Sequence, residues 1–233
     1  MMTSAARPRP RAAAAHNHAE QAYREVRGRL VAGQFQPGDR LNEVDLSSAL
    51  RMSRTPVREA LRRLQSDGLV TATGRGVVVV SLSVEDMRHA LAVHGALEVL
   101  AAELAATRQH DGLLAPAEIS RLRATAAEVE RLVAAGDLMG AWQANLRLHH
   151  LIGELSGNPL LVESLGRIWA RFAIASLRNV HARARVTPHL QHQALVDAIA
   201  EGDPLRAAEA AREHGRQGTT TYLASLAEPG DGA

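Results

Sequence analysis

The segment Ser53–Leu64 constrains the fold of this chain more than any other stretch. Four apolar residues recur in it at the three- and four-residue spacing of one helix face: Val57, Ala60, Leu61 and Leu64. Ser53 is a suitable N-cap, and Pro56 falls in the first turn, where its missing N–H breaks no intrahelical hydrogen bond. The segment therefore predicts an amphipathic helix that begins after Ser53.

Arg54 and Arg58 of this helix lie four residues apart and share a second face near its N-terminal end. Arginine matches the geometry of phosphates and guanine edges, although solvated arginines on a surface helix give the same pattern. The flanking sequence favours DNA binding. A short helix is predicted from Glu43 to Leu50, followed by a tight corner at Arg51-Met52, and this arrangement is typical of a helix-turn-helix.

The sequence after this helix predicts a β-hairpin. Gly68 ends the helix, and two strands, Leu69–Thr73 and Val77–Ser81, flank the segment Gly74-Arg75-Gly76. Glycines permit the positive φ angles that such a hairpin tip requires. A helix-turn-helix followed by a hairpin is a winged helix.

Three motifs of this region resemble the GntR family of bacterial transcription regulators: Gln36–Leu41, Ser53–Leu61 and Asp67–Val70. The resemblance implies that the helix after Ser53 enters the major groove and that the wing tip reaches the minor groove. The DNA-contacting residues that it implies are Arg40, Ser53, Arg54, Thr55, Arg58, Arg75 and Gly76. Two chains would pair as a homodimer on a palindromic double-stranded operator.

Composition sets outer limits on the rest of the chain. The 233 residues allow one large or two ordinary domains, and with 46% hydrophobic but only 3% aromatic residues the core must be aliphatic, which favours helices. The net charge of +2 is too small to predict nucleic-acid binding by itself. The absence of cysteine excludes disulfides, thiolate zinc sites and cysteine nucleophiles. Since Met1–Ala15 lacks an apolar core and no apolar run approaches a membrane span, we expect a cytoplasmic protein without membrane contact.

The pattern after Ser81 predicts helices only. Ser83 with Asp86 predicts a capping box at the start of a helix that runs to about Thr107. Its predicted buried residues are Leu91, Ala92, Leu97, Leu100, Ala101 and Leu104. The further predicted helices are Pro116–Ala135, Leu138–Leu155, Leu160–His181, His189–Ala200 and Leu205–Leu226.

These elements predict a mostly α-helical protein with two domains. We expect a disordered tail at residues 1–18, a winged helix-turn-helix domain at 19–81 and an all-helical antiparallel bundle at 82–226, followed by a flexible tail at 227–233. The bundle resembles the FCD-type effector-binding domain of the FadR branch of the GntR family. The residues that carry this resemblance are Leu97-Glu98, Asn145–His149, Ser156–Pro159, His192 before Ala198–Asp203, and His214.

Four residues of the bundle are candidate metal ligands. Asn145 and His149 project from one helix face because they lie four residues apart, and His192 and His214 belong to the last two helices. Histidines that only hydrogen-bond within the core are the alternative. The resemblance implies a divalent metal, most plausibly zinc, with nickel or copper possible. Related proteins usually carry Asp where this chain has Asn145, and a neutral amide is a poorer ligand.

The resemblance also implies a small organic acid as the effector. His94 stands where many family members carry an arginine that grips the effector's carboxylate, four residues before Glu98. Three arginines are candidates to replace it: Arg147, Arg171 and Arg178. His150, His181 and His189 fall outside the register of the site.

The sequence therefore predicts a ligand-responsive transcription regulator that acts as a repressor and is not an enzyme. One alternative is a DNA-binding protein whose bundle is purely structural. The other is a metal-dependent hydrolase, which would need a general base beside an open metal position. The chain has no HExxH motif, and Glu154 is the only acid near His149 in the sequence.

Overall fold

The computed structural model describes residues 10–74, 76–176 and 192–227. The helices are α1 (Pro10–Val31), α2 (Glu43–Leu50), α3 (Arg54–Ser66), α4 (Val84–His110), α5 (Pro116–Ala134), α6 (Leu138–Leu155), α7 (Pro159–Ser176), α8 (Gln193–Glu201) and α9 (Pro204–Ala227). The strands are β1 (Arg40–Leu41), β2 (Val70–Thr73) and β3 (Gly76–Val79). The chain divides into two compact units, one formed by the residues up to Ser81 with the end of α7, and the other by the described residues from Leu82 onward.

The first unit is a winged helix-turn-helix, as predicted. The four apolar residues of α3 are buried, and α3 packs against α1 and α2. The corner between α2 and α3 is made by Arg51, whose φ of 53° places it in the left-handed region. Ser53 has the extended backbone of an N-cap, but its side chain makes no capping hydrogen bond.

The wing contains one strand that was not predicted. The antiparallel sheet has the order β1-β3-β2, with Arg40 opposite Val78 and Leu41 opposite Val77. A two-residue strand has no period-2 pattern from which it could be inferred. Gly76 has a φ of 132°, and a Cβ at this position would lie 2.8 Å from the carbonyl oxygen of Leu41. Only glycine therefore allows β1 to approach the hairpin so closely.

Helix α1 begins at Pro10, which corrects the expected disordered tail. The helix includes the second half of the segment 1–18 and was predicted only from Ala19. Its alanine-rich start has high helix propensity. Further along, the Tyr23 hydroxyl donates to Asp67 at 2.6 Å, and the guanidinium of Arg63 lies 4.0 Å from the Tyr23 ring centroid. These contacts fix α1 to the C-terminal end of α3.

The second unit is the predicted helical bundle. The capping box at Ser83 and Asp86 is present, α6 has its predicted bounds, and α5 ends one residue earlier than predicted. Between the last two helices, Gly202 takes a left-handed φ of 72° and Pro204 opens α9. The predicted helices Leu160–His181 and His189–Ala200 each extend into residues 177–191, which lie outside the described residues.

The buried face of α4 differs from the predicted one. Of the predicted set only Ala101 is buried, whereas Ala92 is exposed and Leu100 is 40% exposed. The face that packs against α9 carries two polar side chains and several small ones: Met87, His94, Glu98, Ala101, Ala102, Ala105 and Ala106. The leucines were expected inside because they are the most apolar residues, but alanines allow closer helix contact and the polar pair belongs to an internal site.

Helix α4 also corrects the expectation that no segment could span a membrane. An 18-residue window of α4 reaches a mean hydropathy of 1.4, so by length and composition alone the helix could cross a bilayer. Only 33% of that window is buried. A long apolar helix with so little of its surface covered has an outer face that the rest of this unit does not cover.

Candidate metal and effector site

The structure brings all four candidate metal ligands together inside the second unit. Asn145 and His149 project from α6, His192 is the N-cap residue of α8, and His214 lies on α9. The three histidines are between 1% and 7% exposed. One ring nitrogen of each lies within 4.8 Å of the others. Three separate helices therefore meet at this cluster.

The distances within the cluster suit a metal. The Nε2 atoms of His149 and His214 are 3.3 Å apart, and two nitrogens bound to one zinc at about 2.1 Å with tetrahedral angles lie roughly 3.4 Å apart. Nε2 of His192 lies 2.7 Å from Oδ1 of Asn145 and donates to it as the atoms stand. The Nδ1 atoms of His192 and His214 are buried without a hydrogen-bond partner among the described residues. Three imidazoles and an amide oxygen can therefore bind a divalent ion such as zinc.

Electrostatics keeps two of these rings neutral. Burial, together with the charge of His149, lowers the pKa of His192 to about 2 and that of His214 to about 4. Both rings therefore keep a lone pair available near neutral pH. A metal would not have to displace a proton charge from either of them.

Glu98 is a buried residue of this site that was not predicted as a site residue. Its Oε1 contacts Nδ1 of His149 and lies 3.3 Å from Nε2 of His94. Burial alone would raise the pKa of Glu98, but the nearby His149 and His94 and the hydrogen bond with His149 outweigh it and lower the pKa to about 2. The carboxylate is therefore charged inside the bundle. The four-residue spacing of His94 and Glu98 was the one sequence signal that could have indicated it.

His94 lies in an aromatic corner beside the cluster. Its ring makes edge-to-face contacts with Trp169 at 4.6 Å and with Phe172 at 5.3 Å, measured between centroids. The ring is 7% exposed and touches Glu98 on its other side. His94 is thus fixed by its neighbours in a geometry unlike that of an extended arginine.

A cavity of about 50 Å³ adjoins the cluster. His94, Glu98, Asn145, His149, Trp169 and His214 are among the residues that line it. Gly95 and Gly215 border it as well, and a Cβ at either position would meet nothing within 4 Å. A water molecule needs about 10–15 Å³ on this measure, so the cavity holds a few waters or a molecule with few heavy atoms.

The arginines proposed as effector ligands do not meet there. Arg147 points away from the cavity and pairs at the surface with Glu128 on α5, at 3.1 Å. Arg171 is half-buried, but it too is absent from the described residues that line the cavity. Arg178 lies outside the described residues. His150 is 58% exposed beside Glu154 and remains apart from the cluster, as predicted.

The predicted DNA-contacting residues occupy the first unit. Arg40, Ser53, Arg54, Thr55 and Gly76 are exposed, and Arg75 lies outside the described residues. Arg58 is exposed as well, but its guanidinium makes two hydrogen bonds of 2.8 Å to the carboxylate of Glu43 on α2. Arg58 therefore joins the two helices of the helix-turn-helix, a contact that sequence spacing did not reveal.

The two units define a class of protein in which a winged helix-turn-helix is joined to a helical domain with an internal polar site. Residues 18–80 match the model of the bacterial regulatory proteins of the gntR family, and residues 89–217 match the FCD domain. The chain belongs to the GntR family of transcription regulators, in the branch that carries an FCD domain, as predicted.

Named relatives agree with this assignment. The Nta operon transcriptional regulator of Aminobacter aminovorans is 30% identical over 73% of this chain and 78% of its own length. The transcriptional repressor GlaR of Escherichia coli is 29% identical over 82% of this chain and 90% of its own. The structure of Escherichia coli McbR/YncC superposes with a TM-score of 0.74, at 21% identity, over 91% of this chain and 99% of that one. The chain is therefore a DNA-binding transcription regulator and not an enzyme.

Proposed function

We propose that this protein is a homodimeric, cytoplasmic repressor whose hold on a palindromic operator is controlled by a small organic acid bound beside a zinc ion in the bundle. The observation that carries this proposal is the convergence of three neutral, buried imidazoles next to a closed cavity in a DNA-binding protein. A purely structural bundle is the weaker alternative, because a buried polar cluster without a ligand costs stability.

The DNA-binding surface is proposed to centre on the start of α3. Arg54 and Thr55 are exposed there, and the helix N-terminus itself attracts phosphate. Arg58 would reach a base or phosphate only by leaving Glu43, so this ion pair competes with DNA. Arg40 and the wing residues Arg75 and Gly76 would add contacts along the adjacent backbone and minor groove.

The metal is proposed to be held by His149, His192 and His214, with Asn145 as a weaker fourth ligand. When bound, the ion would supply a positive charge and open coordination positions for carboxylate oxygens. No arginine is among the described residues that line the cavity. An anionic effector would therefore depend on the metal for its charge partner, and the volume of about 50 Å³ restricts it to a small acid.

Dimerisation is proposed to use the uncovered outer face of α4. The apolar residues there follow the 4-3-4 spacing of a helix–helix seam: Val93, Leu97, Leu100 and Leu104. Val93 is 54% and Leu100 is 40% exposed in a single chain. A second copy of the same helix, related by a two-fold axis, would cover this seam and set the spacing of two recognition helices.

The effector can control DNA binding only through a difference between two arrangements of the dimer. It must bind more tightly to the arrangement that fits the operator less well. The cavity lies among α4, α6, α7 and α9, and α4 carries the proposed seam. Effector contacts with α4 thus have a direct route to the dimer geometry.

The test begins with zinc-loaded protein and operator sequences selected from genomic fragments. We expect selected sites to be palindromic and a panel of two- to four-carbon organic acids to include one that releases the DNA. His214→Ala should abolish this release while DNA binding without effector persists, and His150→Ala should behave as wild type. Release that is unaffected by chelation of the metal would contradict the proposed mechanism.

A further inference from the structure

Glu98 is the single carboxylate among the described residues that line the cavity. It is 8% exposed and its Oε1 touches His149 on one side and His94 on the other. An ionised carboxylate in a buried position is costly unless it is paired and hydrogen-bonded. Its presence here, against a candidate metal ligand, calls for a function in the site.

The contact with Glu98 determines which nitrogen of His149 carries the proton. A carboxylate only accepts hydrogen bonds, so Nδ1 of His149 must be the donor. A neutral imidazole has one N–H, which leaves Nε2 with a free lone pair. That Nε2 is the atom 3.3 Å from Nε2 of His214, at the centre of the cluster. Glu98 thus selects the tautomer that a metal requires.

The other side of the carboxylate is held by His94. The edge-to-face contacts of His94 with Trp169 and Phe172 fix the plane of its ring. Glu98 and His94 also lie one helical turn apart on α4, so the helix itself sets their separation. Glu98 is therefore a fixed support for His149 and not a mobile side chain.

We propose that Glu98 is the positioning residue of the metal site: it holds His149 in the Nδ1–H tautomer and supplies the negative charge that Asn145 does not provide. This inference rests on the proposed metal binding. It explains how a ligand set without a carboxylate keeps its affinity, because a hydrogen-bonded carboxylate makes the imidazole a stronger donor to the ion.

The first measurement compares the zinc affinities of wild type, Glu98→Gln and Glu103→Gln by competition with a chelator. Glu103 is exposed on the same helix and serves as the matched control. We expect Glu98→Gln to weaken zinc binding by about 10- to 100-fold and Glu103→Gln to leave it unchanged. An affinity of Glu98→Gln within twofold of wild type would overturn the proposal.

The second measurement is independent of metal binding. Long-range ¹H–¹⁵N correlation spectra of chelator-treated protein report the tautomer of each histidine. His149 should be protonated on Nδ1 in wild type and should shift toward the Nε2–H form in Glu98→Gln. If that variant does not fold, Glu98→Asp, which keeps the charge but withdraws it, should show the same shift to a smaller extent.

The two measurements separate the two proposals. Wild-type protein that takes up no zinc would refute the proposed metal site, whereas the tautomer spectra would still show whether Glu98 positions His149. A wild-type His149 protonated on Nε2, or an Nδ1–H form that survives in Glu98→Gln, would overturn the positioning role whatever the zinc result.

Discussion

Acidification should weaken the bundle of the metal-free protein, because His192 and His214 are neutral in the folded chain. Their pKa values of about 2 and about 4 lie below the ordinary value of 6.5, chiefly because of burial. Below pH 6.5 the unfolded chain takes up protons that the folded chain excludes. The free energy of unfolding therefore falls as the pH falls through 6.5.

The size of this effect follows from the two pKa values. A buried group of this kind contributes about 1.4 kcal/mol per pH unit within its window. Both folded pKa values lie below pH 5, so both histidines contribute over the whole interval from pH 6.5 to 5. The expected loss is about 4 kcal/mol, a large part of the 5–15 kcal/mol typical of a domain. Glu98, whose pKa of about 2 lies below its ordinary 4.5, loses its contribution only as the pH falls below about 4.5.

The fluorescence of tryptophan provides the assay, since the two tryptophans of the chain, Trp142 and Trp169, both lie in the bundle. Urea unfolding with EDTA at pH 7 and pH 5 gives the loss directly. His192→Asn combined with His214→Asn should remove most of the pH dependence, and His89→Gln, at an exposed position, should not. A wild-type loss under about 1 kcal/mol, or an equal loss in the double variant, would refute the reasoning.

Four further predictions test other parts of the molecule. Asn145→Asp should tighten zinc binding, because it adds a negative charge to the ligand set, as measured by chelator competition; equal affinities would exclude Asn145 as a ligand. Gly215→Ala should raise the thermal stability of α9 by about 0.5–1 kcal/mol and weaken effector binding, because its Cβ enters the cavity; thermal unfolding and effector titration measure both, and unchanged effector affinity would place the effector elsewhere. Arg54→Ala should weaken operator binding by one to two orders of magnitude, as measured by fluorescence anisotropy, with wild-type affinity as the contrary result. Leu97→Glu with Leu100→Glu should convert the dimer to a monomer in light scattering, because charge would be buried in the seam; a persistent dimer would move the interface away from α4.

The sequence by itself determined the elements whose signals are local. The spacing within Ser53–Leu64 predicted the buried face of α3, and the Ser83–Asp86 pair predicted the capping box of α4. The helix period also predicted that Asn145 and His149 share a face. Such features depend on residues within one or two turns of each other, so the helix geometry alone fixes them.

The tertiary structure decided the contacts between residues distant in sequence. Strand β1 exists only because Gly76 admits the backbone of Leu41, and the pairing of Arg58 with Glu43 depends on the angle between α2 and α3. In α4, apolarity suggested leucines inside, whereas the packing placed alanines, His94 and Glu98 there. Whether a polar side chain is a surface group or part of an internal site depends on what the other helices bring to it. Period and composition along one helix do not contain that information, because the partners of Glu98 come from α6 as well as from its own helix.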